Sequence, residues 1–127
     1  MKSNSNVRPD IIVDLGNGSF HYNYNIREVE VPATEERPAR TEYEYETVQI
    51  WGNPTYDKCV KAVLRDRRDE TEEFSLINKY NAFTLGLSEY EADKTEYEAY
   101  LSEVIAVKAM VRADLQEAGI EVTESKL

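Results

Sequence analysis

Asp14-Leu15-Gly16-Asn17-Gly18-Ser19 is the one stretch of this chain whose residue types, taken together, suit a chemical task. Glycines free the backbone amides of a tight turn to converge on phosphate oxygens, and a neighbouring carboxylate suits a metal that accompanies them. The same residues also suit a hairpin turn, where Gly-Asn-Gly supplies the positive φ angles that join two strands. The remaining reactive side chains stand alone. His21 is the only histidine. Asp14 and Glu28, its nearest acids, are not at ligand or proton-transfer spacing on one face, so it reads as a surface or interface residue. Cys59 is the only cysteine. It can form neither an intrachain disulfide nor a thiolate cluster, and its place between Tyr56 and Val60 suits a buried thiol. Arg65, Arg67 and Arg68 form a basic knot at a helix C-terminus, within reach of Asp66, Asp69 and Glu70. The glutamates between Glu28 and Glu46 lack the spacing of a calcium loop and read as a solvated strand edge. These residues yield no catalytic group, no cofactor site and no metal site.

The elements that must position these residues follow from periodicity. Residues 10–15 read as a strand that enters the Gly-Asn-Gly turn. Beyond it the period is two, with Phe20, Tyr22, Tyr24 and Ile26 on one side and His21, Asn23 and Asn25 on the other. The alternation continues through Val29 and Val31 against Glu28 and Glu30. Residues 32–39, with two prolines, form a loop. In residues 41–51 Tyr43, Tyr45, Thr47, Gln49 and Trp51 share a side. Three strands joined in this order make an antiparallel meander over about residues 8–51.

At Gly52 the period changes to that of a helix. Asn53 suits an N-cap and Pro54 a first helical position. Tyr56, Cys59, Val60, Val63 and Leu64 make an apolar stripe. A second helix starts near Thr71, and its apolar residues Phe74, Leu76, Ile77, Tyr80, Phe83 and Leu87 point round more than one side, which predicts the most enclosed helix. Thr95-Glu96-Tyr97-Glu98 fits a capping box for a third helix, and Ser88-Glu89-Tyr90-Glu91 fits one as well. Leu101, Val104, Val111, Leu115 and Ala118 then keep a near-heptad spacing up to Gly119, which suits packing on another helix within the subunit or across an oligomer. Strands followed by helices is an α+β order. The expectation is one domain of 127 residues, an N-terminal three-stranded meander followed by a three-helix part over about residues 53–119, with 1–7 and 120–127 as flexible tails.

A net charge of −10 opposes the approach of a nucleic-acid backbone. No run approaches the ~18 apolar residues of a membrane helix, and the polar start lacks the apolar core of a secretory signal. The expectation is a protein that first folds in a cytoplasm, with neither nucleic acid nor membrane as partner.

Two resemblances carry the reading further. Asp14-Leu15-Gly16-Asn17-Gly18-Ser19 resembles the first phosphate-binding turn of actin-like ATPases. That fold needs two large domains and further motifs, for which this chain has no room. The longer stretch DLGNGSFHYNYNI, residues 14–26, resembles the hairpin of small phage tail-region proteins of the XkdW kind, in which such a turn opens a short aromatic strand. A second segment is similar to small proteins carried by phages and prophages of Bacteroidales-type hosts. It matches at Trp51, Gly52, Pro54, Tyr56, Val60, Ala62 and Val63, then at Glu73, Phe74, Leu76, Ile77, Asn78, Tyr80 and Asn81. The resemblance implies a minor virion component or a tail or fibre assembly factor, located in the virion or the host bacterial cytoplasm.

The expected function is therefore non-enzymatic and works through contacts with other phage structural, tail or fibre proteins. Homo-oligomerisation through the last helix is a further option. The candidate contact residues are Tyr22, Tyr24, Tyr43, Tyr45 and Trp51, because tyrosine and tryptophan dominate recognition cores. The alternatives are a host-directed acidic binder that mimics nucleic acid, and a nucleotide-binding protein acting through the 14–19 turn.

Overall fold

The computed structural model describes residues 2–88 and 90–122. It is an α+β protein in which a four-stranded antiparallel sheet is followed by three helices. The strands are β1 (Lys2–Ser5), β2 (Ile12–Asp14), β3 (Ser19–Val31) and β4 (Arg40–Trp51), in the spatial order β1-β4-β3-β2. The helices are α1 (Tyr56–Arg67), α2 (Glu70–Thr84) and α3 (Glu91–Glu117).

The meander expected from alternation is present as β2, β3 and β4, with the expected first strand shortened to Ile12–Asp14. The fourth strand is a correction. Residues 2–5, expected as part of a flexible tail, pair with β4 in the register Lys2 to Glu46 and Ser5 to Tyr43. A polar segment such as Lys-Ser-Asn-Ser has no apolar pattern to betray it. At a sheet edge the ladder needs only its backbone groups. Because β1 and β2 lie on opposite edges, residues 6–11 must cross between them. Asn23 holds the end of this crossing: its backbone N–H donates to the Ile11 carbonyl (2.7 Å) and its amide to the Asp10 carbonyl (2.8 Å). Thr47 Oγ1 in turn donates to the Asn23 side-chain oxygen (2.7 Å).

The long β3–β4 hairpin contains one irregularity. Tyr24 stands opposite Glu46 and Arg27 opposite Glu44, so Asn25 and Ile26 together face the single residue Tyr45. This bulge resets the phase, which is why the apolar positions pass from Tyr22 and Tyr24 to Val29 and Val31. Asn25 takes φ +54°, a left-handed conformation that asparagine tolerates and β-branched residues do not. Asn25→Val is expected to lower unfolding stability by about 1–2 kcal/mol, whereas Asn25→Gly costs little, as read from chemical-denaturation midpoints.

One face of the sheet carries the core. Tyr22, Tyr24, Val48 and Ile50 pack with Tyr56, Cys59, Val60 and Val63 of α1 and Val107, Val111 and Leu115 of α3. The α1 stripe is the expected one, but the N-cap is Thr55, whose side chain accepts from the Lys58 N–H, and not Asn53. Ile120 and Val122 pack against the core and extend order into the expected C-terminal tail; residues 123–127 lie outside the described residues.

Two helix expectations are also corrected. α2 has no buried residue and is the least enclosed helix. It packs on α3 alone to any extent, so an apolar set spread round its circumference leaves Phe74 58% exposed. α3 begins at Glu91, four residues ahead of the Thr95 capping box, and Thr95 Oγ1 donates back to the Glu91 carbonyl inside the helix. Ser88 acts at this start, accepting from the Tyr90 N–H and donating to Asp93. α3 runs for 27 residues, about 40 Å. Its C-terminal half covers the sheet, while its N-terminal half pairs with α2, where Tyr80 stacks on Tyr97 at 4.3 Å.

Candidate protein-interaction surface

The 14–19 turn closes on itself. Asp14 Oδ1 accepts the Gly16 N–H (2.8 Å), and Asn17 Oδ1 accepts both the backbone N–H and the hydroxyl of Ser19. Gly16 and Gly18 have φ +78° and +83°, as the hairpin between β2 and β3 requires. Leu15 N–H donates to the Ser19 carbonyl (3.1 Å). The carboxylate that would face a metal and the amide that would face a phosphate are thus bonded to each other.

Tyr22 and Tyr24 are fully buried, which removes them from the candidate contact residues as the fold stands. Sequence alternation put them on one side of a strand, and that side is the one the helices cover. Tyr22 donates to Asp114 of α3 (2.6 Å) and Tyr24 to Asp66 of α1 (3.4 Å), so each hydroxyl ties the sheet to a different helix. Burial raises both phenols well above the ordinary tyrosine range, with the Asp114 carboxylate adding for Tyr22 and those of Glu46 and Asp66 for Tyr24. Asp114 is itself raised, chiefly by burial, while the Tyr22 hydrogen bond acts the other way.

Tyr43, Tyr45 and Trp51 share the opposite face of β4, with Thr47 and Gln49 between them. Tyr43 and Tyr45 are half-buried, with Ser5 and Ser3 of β1 beside them on one side and Glu28 and the Asn25–Ile26 bulge of β3 on the other. Trp51 is 63% exposed at the end of the strand.

β1 pairs with β4 only over Tyr43–Glu46. β3 pairs with β4 along its other side, and among the described residues no strand lies beside residues 48–51 on the side away from β3, so this end of β4 is an open edge. Next to it runs a groove of about 320 Å³ lined by Gln49, Ile50, Trp51, Lys58, Lys61, Ala62, Arg65 and Glu70. Its floor is apolar and its helix-side wall carries Lys58 and Lys61 beside the Arg65–Glu70 ion pair, in a chain of net charge −10. Lys58 closes one end, its Nζ donating to the carbonyls of Trp51 (3.1 Å) and Asn53 (3.3 Å). Of these lining residues, Trp51 alone was among the candidate contact residues. The basic wall comes from the exposed side of α1, where an amphipathic pattern names what is buried and says nothing of what lies beside the strand edge.

Comparison with protein-family models, curated proteins and solved structures finds no match to this chain.

The remaining chemistry-bearing residues serve the scaffold. The arginine knot faces inward: Arg65 pairs with Glu73 (2.9 Å) and Glu70 (3.6 Å), Arg67 and Arg68 with Glu103 (3.7 and 2.7 Å). Arg68 also lies over the Tyr100 ring at 5.3 Å. The knot therefore joins three helices, while Asp69, expected as its partner, caps α2 by accepting the Glu72 N–H (2.8 Å). His21 stands half-buried on the outer face, opposite Gln49 and Val13. Among the described residues no group of three or more histidine, cysteine, aspartate or glutamate side chains is placed to hold a metal ion. No helix among them is long and apolar enough to cross a membrane.

Cys59 is fully buried, and burial with the nearby Asp114 charge pushes its thiol up to about 12. A thiol without thiolate character or access is inert. The native protein is expected to leave a thiol-specific chromogenic reagent unreacted for hours at pH 8, and to react within seconds once unfolded.

Proposed function

We propose that this protein is a non-enzymatic binding module that captures an extended segment of a protein partner along the open edge of β4. The observation that carries this reading is the outer edge of β4 at residues 48–51, which pairs with β3 on one side alone and runs between an exposed Trp51 and an apolar-floored groove with lysines on its wall. An added strand satisfies the free backbone groups of the edge, and its alternate side chains enter the groove. Lys58 and Lys61 on the wall favour a segment bearing acidic residues, while Arg65 is paired with Glu70 and Glu73. Tyr43, Tyr45 and Trp51 supply rigid aromatic area on the adjoining face.

The biological setting we propose is phage assembly, as a minor virion component or a tail or fibre assembly factor. It rests on the resemblances of residues 14–26 and of the segment that follows Trp51. Mass spectrometry of purified particles, beside affinity capture from the producing cells, separates the two roles. A structural component stays in the particle; an assembly factor is captured with a tail or fibre protein and is absent from the particle. Absence from both preparations contradicts the setting.

The nucleic-acid mimic has less support. Glu70, Glu73 and Glu103 of the helices are paired with Arg65, Arg67 and Arg68, and the edge beside Trp51 carries Lys58 and Lys61.

A further inference from the structure

α3 carries two stripes. The first, through Tyr100, Val107, Val111 and Leu115, is buried within the subunit. The second is formed by Lys94, Glu98, Leu101, Ile105, Lys108 and Arg112, separated alternately by four and three residues, the spacing of a helix-pairing seam. At about 100° per residue, Leu101 and Ile105 lie on the side of α3 opposite Glu103, which pairs with the arginines of α1. The Leu101–Ile105 centre of this stripe therefore turns away from that junction, while Arg112 at its end reaches back to α1. Leu101 is 40% and Ile105 67% exposed, and Phe74 on α2 is exposed as well.

The chemistry of this stripe is symmetric about Glu103. If a second α3 is laid antiparallel on it across a two-fold axis at that level, Leu101 meets Ile105 of the second copy. Glu98 meets Lys108, an opposite-charge pair formed twice. Lys94 and Arg112 fall opposite each other at the solvated ends, but Lys94 is beside Glu98 (4.0 Å) and Arg112 lies over the Tyr56 ring (5.3 Å). A patch that complements itself under a two-fold rotation is what an isologous dimer requires. We infer that the protein forms a two-fold dimer by antiparallel packing of this outer stripe of α3, with α2 of each copy flanking the seam to make a four-helix bundle.

The size of the surface fits a reversible dimer. The stripe from 94 to 112 is about 28 Å long, and two helices side by side are about 20 Å wide. That gives roughly 550 Å² per protomer, just above the ~1,000 Å² total of a specific interface. The dimer face is on the α2–α3 arm and leaves the β4 edge free, so this inference stands independently of the partner-binding reading.

Sedimentation equilibrium of the whole chain tests it. The wild type is expected to approach twice its monomer mass of 14.7 kDa at about 0.5 mM protein. Leu101→Glu and Ile105→Lys each weaken self-association at least tenfold. An equimolar mixture of the two restores the dimer mass, because Glu at 101 of one copy faces Lys at 105 of the other. Both positions are solvent-exposed, and circular dichroism of each variant verifies the fold. A wild type that stays monomeric, variants that dimerise like the wild type, or a mixture that stays monomeric overturns the proposal.

Discussion

Tyr22→Ala is expected to destabilise the protein by about 3–5 kcal/mol, a loss that takes most of the stability of a domain at the lower end of the typical range of about 5–15 kcal/mol. Tyr22 is fully buried at the centre of the sheet, and its ring lies 5.2 Å from that of Tyr24. Truncation removes the ring from between β3 and the helices and leaves a cavity, because Val48 and Val111 are too short to fill it. Tyr22→Phe separates the ring from the hydroxyl. It keeps the packing but leaves the Asp114 carboxylate, itself partly withdrawn from water, without its 2.6 Å hydrogen bond. A hydrogen bond to a charged acceptor contributes about 1.5–3 kcal/mol, so that is the expected loss at pH 7.

The pH dependence of this loss has a definite sign. The Asp114 carboxyl in the folded protein is raised above its unfolded value, so the native state holds this proton more readily. Stability from this residue therefore increases as pH falls towards the ordinary carboxylate range. The Tyr22 hydrogen bond opposes the rise, so Tyr22→Phe lifts the carboxyl further. The loss caused by Tyr22→Phe should be larger at pH 7 than at about pH 4. Urea titrations at the two pH values measure it, and an equal loss at both would show that the hydroxyl does not act through the Asp114 charge.

Trp51→Ala has the second large expected effect, on binding and not on folding. Exposed as it is, the indole adds little to the core, so denaturation midpoints should move by less than about 0.5 kcal/mol. When a partner segment covers it, it becomes a large buried aromatic at the centre of the interface. Residues of that kind typically contribute 2 kcal/mol or more. Partner affinity should fall by about 30-fold. Lys61→Glu should cost less and act mainly through the association rate, with a salt dependence that the wild type shows and the variant loses. An unchanged affinity for Trp51→Ala would move the binding surface away from this end of the sheet.

The fold was legible where one residue pattern decides one surface. Alternation from Phe20 to Tyr24 and from Tyr43 to Trp51 marked two strands, and the 56–64 stripe marked the first helix. Legibility ended where a neighbour decides. Whether Tyr22 or Tyr43 meets solvent depends on which face of the sheet the helices cover, and each strand alternates equally well either way. The phase shift at Asn25 is a backbone event that leaves only an asparagine in the sequence. β1 pairs through its main chain, so Lys-Ser-Asn-Ser carries no side-chain signal. α2 was misjudged for a related reason: apolar residues all round a helix predict enclosure only if other elements are there to enclose it. The candidate site depends on adjacency more than any of these. Trp51 was readable by type, whereas Lys58, Lys61 and Ala62 join it only because α1 lies along the open edge of β4.

The central claim is that a partner segment docks on residues 48–51 and the neighbouring wall of α1. Its most direct test is to select extended peptides on the intact protein from a displayed library and map the binders by NMR amide shifts. The account predicts acid-containing peptides that shift the amides of Thr47, Gln49, Trp51, Lys58 and Lys61, gain strand-type contacts to β4, and bind about 30-fold more weakly to Trp51→Ala. Peptides that shift the amides of other elements, leave residues 48–51 unmoved and bind Trp51→Ala as tightly as the wild type would contradict it.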